Sequence, residues 1–136
     1  MESLNLDLGA VEYRIPGGGV LRFNPADPNV YGRFLEIQKG LEAVHTDFRR
    51  KAKNAREGSR VLALLQETDR QLKQLLEQVF PGNDLDAALG GVNLLAMCAD
   101  GKTVAENLLT ALEGVLSRGA KDLVEREAKK LKEVNG

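Results

Sequence analysis

Val11, Tyr13 and Ile15 alternate with Glu12 and Arg14 near the start of the chain, a period of two that turns one face of a strand toward a core. Pro16-Gly17-Gly18-Gly19 interrupts the alternation and Val20-Leu21-Arg22-Phe23 resumes it. Two such runs around a glycine-rich connection predict a β-hairpin with a loop of about three or four residues. Leu4 to Leu8 is a candidate third strand, so the hairpin region is expected over residues 4–23. A lone hairpin is marginal, and this one has to pack on helices or pair with the edge of another chain.

The period then changes. In Asn24-Pro25-Ala26-Asp27-Pro28 the aspartate is placed to cap a helix and the proline to occupy its first turn, where a missing N–H costs nothing. Val30, Phe34, Ile37, Leu41, Val44 and Phe48 follow at a/d spacing and predict a helix over 28–57, about 45 Å long at 1.5 Å per residue. Gly32 and Gly40 lie within it and either admit a neighbouring backbone or allow a bend. Gly58-Ser59 reads as a stop and a new N-cap. A second helix over 59–80 carries Val61, Leu65, Thr68, Leu72, Leu75 and Val79 on one seam and ends at Pro81-Gly82. The two helices are expected to pack as an antiparallel pair.

Asn83-Asp84 caps a short helix or turn segment over 84–99, whose later part, Val92 to Ala99, is apolar without a clear period. Thr103 and Glu106 have the spacing of a capping box. They open a last helix over 103–134, with Val104, Leu108, Leu112, Val115 and Leu116 inward and a bend expected at Gly119. Leu123, Val124, Leu131 and Val134 carry the apolar stripe on into a highly charged run. The expected fold class is mainly α (α+β): one domain over 1–136, with an N-terminal β-hairpin, a long antiparallel helical hairpin and a C-terminal helical segment.

Composition narrows the chemistry. The 136 residues are 43% hydrophobic and 29% charged, which fits a folded domain with a core of its own. A single cysteine, Cys98, excludes an internal disulfide and fits a reducing compartment. With one histidine, His45, the usual zinc cluster of about four Cys or His ligands cannot be assembled. No Gly-x-Ser-x-Gly elbow, phosphate-binding glycine loop or dinucleotide fingerprint is present, and His45 has no identifiable nucleophile beside it. Catalysis is therefore not expected, and no cofactor or metal is implied. No apolar run reaches the roughly 18–20 residues of a membrane span. Met1-Glu2-Ser3-Leu4 lacks the pattern of a secretory signal.

The net charge of −1 gives no global field toward nucleic acid. One local exception is Arg49-Arg50-Lys51-Ala52-Lys53-Asn54-Ala55-Arg56. Clustered cations bind phosphates and release counterions, so a small nucleic-acid-binding regulator is the alternative function. Cations at a helix C-terminus also complement its dipole, and no aromatic residue is interleaved for base stacking. The stronger expectation is association with other polypeptides. Its candidate residues are Val30, Phe34, Ile37 and Leu41 on the first seam, Arg49, Arg50 and Lys51 in the basic run, and Leu123, Val124 and Leu131 near the end.

The order of segments resembles the tail assembly chaperone family of long-tailed bacteriophages and prophages. The residues that carry the likeness are Leu21-Arg22-Phe23-Asn24-Pro25-Ala26-Asp27 with the helix after it, and Val79-Phe80-Pro81-Gly82-Asn83-Asp84. Asn93-Leu94-Leu95 and Asp100-Gly101-Lys102-Thr103 follow, before Glu106-Asn107-Leu108-Leu109. The likeness spans about Val11 to Leu116 and transfers no individual site residue. It implies a non-enzymatic helical protein that coats the tape measure protein, self-associates and recruits tail tube protein. Such a protein acts in the cytoplasm of the bacterial host and is lost from the mature virion. In many relatives a frameshift makes a longer second product, of which this chain would be the short counterpart.

Overall fold

The computed structural model describes residues 1–135; Gly136 lies outside them. Strands β1 (Val11–Arg14) and β2 (Val20–Phe23) form an antiparallel pair in which Val11 faces Phe23 and Tyr13 faces Leu21. The connection has the expected length, with Ile15 paired to Gly19 and Pro16-Gly17-Gly18 between them. Gly18 N donates to the Ile15 carbonyl around Pro16 and Gly17, and Ile15 N bonds Gly19 O. Gly17 supplies the positive φ of 79° that a type II turn requires at its third position. Residues 4–10 join no ladder, so the candidate third strand is absent from this chain's own sheet.

Among the described residues five helices follow: α1 (Pro28–Glu36), α2 (Gln38–Ala52), α3 (Gly58–Val79), α4 (Leu85–Ala88) and α5 (Val104–Asn135). The mainly α, α+β class is what the chain adopts. The caps are local chemistry and fall where the residues place them. Asp27 accepts from Asn29 N and Asp84 accepts from Ala87 N. Thr103 and Glu106 exchange both bonds of the capping box, at 2.8 and 3.2 Å.

The helix expected over 28–57 is instead two helices meeting at Ile37. Gln38 Nε2 donates to the Phe34 carbonyl at 2.9 Å, and a side chain inserted into the backbone ladder bends a helix at that point. The second half ends at Ala52, where Asn54 N and Ala55 N tighten onto the Lys51 and Ala52 carbonyls. Glu57, not Ser59, stands before α3. The chain then returns along α2, giving the expected helical hairpin. The segment expected over 84–99 is helical only in α4 and continues as turns. These end in a single bridge between Met97 and Thr103.

One hydrophobic cluster joins every element. Its centre holds Phe80, Val79, Leu72 and Leu76 from α3 and its end, Leu85 from α4, Leu94 from the turns, and Leu116 from α5. Phe23 brings the hairpin onto it, stacked on Tyr13 at 4.8 Å and tilted against Phe80 at 4.7 Å. Lys73 is buried in α3 and reaches Asp69 at 2.9 Å, Asp86 at 2.5 Å and the Val92 carbonyl at 3.0 Å. Asp69 also accepts from Leu94 N at 2.7 Å. Together they hold the turns on α3.

Gly119 does not bend α5, which runs unbroken through it. It lets the helix approach the Asn24–Asp27 turn so closely that an added Cβ would overlap the Pro25 carbonyl oxygen. Gly119→Ala is therefore expected to lower unfolding free energy by about 3 kcal/mol, read from urea denaturation. Burial works against the Lys73 ammonium, but its bonds to Asp86 and Asp69 outweigh that and raise its pKa above the ordinary 10.5. The resulting stability is complete below the ordinary value and is lost as pH rises through the folded pKa. Lys73→Met should cost about 2–3 kcal/mol near neutral pH, by leaving Asp69 without its cation. The difference from the parent protein should narrow in strong alkali.

Candidate partner-binding surfaces

Four of the residues expected to meet a partner are occupied within the chain. Val30, Phe34, Ile37 and Leu41 are all buried, none more than 8% exposed, in the cluster shared by the hairpin and the helices. The seam is apolar, as its spacing predicts, and it is covered within the chain itself. Its periodicity shows that a face is covered, not which chain covers it. Tyr31, also on α1, is half-buried against the same cluster. Its hydroxyl donates to Glu113 Oε1 at 2.8 Å, and that bond is the main reason its pKa is raised.

Arg49, Arg50 and Lys51 are exposed in the last turn of α2. Arg50 pairs with Asp47, and Lys51 Nζ lies 3.0 Å from the other oxygen of the same carboxylate. Bonds first from Arg50 and then from Lys51 hold the Asp47 pKa below its usual value. One acidic group is thus shared by two of the three cations, which weakens the local field that a phosphate backbone would feel. His45 is half-buried with Nδ1 3.0 Å from the Leu41 carbonyl one turn earlier. Cys98 N donates to Lys102 O at 2.8 Å in a tight turn. Among the described residues no three His, Cys, Asp or Glu side chains converge as metal ligands would.

The end of α5 is different. Beyond Ala120 every described side chain is exposed except Leu123, which is half-buried. Val124, Leu131 and Val134 are 67%, 62% and 82% exposed. At 100° per residue they and Leu123 fall within about 80° of the buried Leu116. The stripe that packs on α1 therefore continues, uncovered, along a projecting helix. Glu127 lies within it and pairs with Lys130 at 3.8 Å.

A second surface was not anticipated. Between the inner face of the hairpin and the first half of α5 lies an apolar groove of about 380 Å³. Tyr13, Ile15 and Phe23 form one wall, Leu108 and Val115 the other, with Cys98 among the lining residues. Each wall is recognisable in sequence as an amphipathic face. Their separation depends on how the hairpin is fastened, a long-range contact that no local pattern carries. No family model matches the chain, nor does any curated protein or any solved structure.

The division between covered and free stripes has a direct measure. Phe34→Ala should lower unfolding free energy by about 3–5 kcal/mol. Leu131→Ser should change it by no more than about 0.5 kcal/mol. Guanidinium denaturation of the two variants distinguishes them.

Proposed function

We propose that this protein is a non-enzymatic assembly chaperone of phage or prophage tails. It binds the long helical tape measure protein through an apolar helix face and helps to recruit tail tube subunits. The observation that carries this reading is the α5 extension, where the core-facing stripe runs on past the body through Leu123, Val124, Leu131 and Val134. A stripe of that kind fits an amphipathic helix of a partner. Burying each of its large side chains against that partner would contribute roughly 1.5–3 kcal/mol. The interspersed charges around it keep the free helix in solution until the partner arrives. The likeness in the order of segments supports the same reading, as does the near-zero net charge.

On this reading the protein works in the cytoplasm of a bacterial host, self-associates, needs no cofactor and is absent from the finished particle. Among the described residues no helix is long and apolar enough to cross a membrane. The basic run at the end of α2 serves chiefly to solvate that helix end, its charge partly neutralised by Asp47.

Co-expression with the tape measure protein encoded beside it should yield a soluble complex in size-exclusion chromatography. Val124→Asp with Leu131→Asp should weaken that complex by at least about tenfold while leaving thermal unfolding unchanged. A folded protein that forms no complex with its soluble neighbour overturns the proposal. So does salt-sensitive DNA binding that Arg49→Glu and Arg50→Glu abolish.

A further inference from the structure

The two edges of the hairpin are not equivalent. On β2, Arg22 N donates to Asn83 Oδ1 and Asn83 Nδ2 donates back to Arg22 O, both at 2.8 Å. The carboxamide of Asn83 thus stands where a neighbouring strand would be. Gly19 N, just before β2, is likewise taken by the Ala88 carbonyl. With the backbone of Arg22 turned outward, its cross-strand partner Glu12 belongs to a pair that exchanges no backbone bonds. The N–H and C=O of Glu12, and by the same alternation those of Arg14, point away from β2. No described residue bonds to them. The edge of β1 is open.

Beside that edge lies the groove between the hairpin and α5, lined by Tyr13, Arg14, Ile15 and Pro16 on one side and by Val104 to Val115 on the other. The chain also holds a segment of matching form. Leu4-Asn5-Leu6-Asp7-Leu8 alternates strictly, and its leucines are 93%, 73% and 74% exposed. In its own chain this segment is led toward the sealed side of the sheet. Asn24 Nδ2 holds the Leu8 carbonyl at 2.9 Å, and Leu6, Asp7 and Leu8 border a cleft with Arg22 and Pro81–Asn83.

We propose that Leu4–Leu8 of one copy adds as a third strand to the open edge of β1 in a second copy, seating its leucines in the groove against α5. Backbone bonds to Glu12 and Arg14 supply the pairing, and the apolar groove selects the alternate leucines. Five strand residues extend about 16 Å, against about 17 Å for the stretch of α5 from Val104 to Val115. Asn5 and Asp7 then lie on the outer face with Glu12 and Arg14, where Asp7 complements the arginine. The surface is separate from the α5 extension and does not require the tail-assembly reading.

The test is a mixing experiment on the full chain, followed by analytical ultracentrifugation over a wide concentration series. The parent protein should self-associate. Removal of residues 1–8, or Leu6→Asp, should weaken self-association by at least about tenfold. Glu12→Pro should do the same, because proline is tolerated at an edge position whose N–H faces outward but has no N–H to donate to an incoming strand. Circular dichroism of each variant should match the parent. Mixed together, the truncated chain and Glu12→Pro should form a one-to-one complex, since one retains the edge and the other the strand. A strictly monomeric parent overturns the proposal, as do self-association that survives removal of residues 1–8 and a mixture that stays dissociated. Failure here with capture of the tape measure protein intact would leave the partner-binding part of the proposed function standing, and a strictly monomeric parent would remove its self-association alone.

Discussion

A ribbon of two four-residue strands cannot stand alone in water, and the way this one is fastened shapes the rest of the molecule. Two attachments come from the corner where α3 ends. Phe80 receives the ring of Phe23, and Asn83 satisfies both backbone groups of Arg22. The corner is therefore a helix stop, a core anchor and a substitute strand at once. Because it grips the hairpin from the β2 side, that edge is closed and β1 is left facing α5 across an apolar gap. The same side of the body is made rigid by Lys73, whose three acceptors belong to α3, α4 and the turn after it.

What could be read in the sequence is what depends on neighbours in sequence. Asp27, Asp84 and the Thr103–Glu106 pair cap helices because a side-chain oxygen two or three residues away from an orphan N–H needs nothing else. The inward face of β1 was equally legible, since a strand has only two faces to choose from. The break at Ile37 was not, because it turns on whether the Gln38 amide bonds its own helix or points to solvent. Nor was the purpose of Gly119, which is set by a carbonyl of Pro25 far away in the chain. The first is a choice between two local partners, and the second is settled by tertiary contact.

The candidate surfaces divide along the same line. Phe34 and Leu131 sit on stripes of similar quality, yet one is 3% exposed and the other 62%. Periodicity reports that a face is apolar; the supply of other elements decides whether it is covered. For α1 the supply is ample, with α3 on one side and α5 on the other. For the end of α5 it has run out. The groove under β1 was missed for a related reason, since both of its walls belong to faces that were read as core, and only the distance between them makes a gap.

A helix that outruns its body must hold its shape without tertiary help. An isolated segment of about fifteen residues is marginal, but the exposed end of α5 is continuous with a turn already nucleated and packed at Leu112 and Leu116. Its composition favours propagation, with Ala, Leu, Glu, Lys and Arg at most positions from Lys121 onward. Glu127 and Lys130 add a pair on adjacent turns. The extension is thus stiff and also apolar along one side, a combination that a polar helix cap could have avoided and that the protein's own fold does not use. The N-terminal leucines pose the same problem in extended form. Both segments therefore leave apolar side chains in water, and it is this surface that the two proposed contacts would cover.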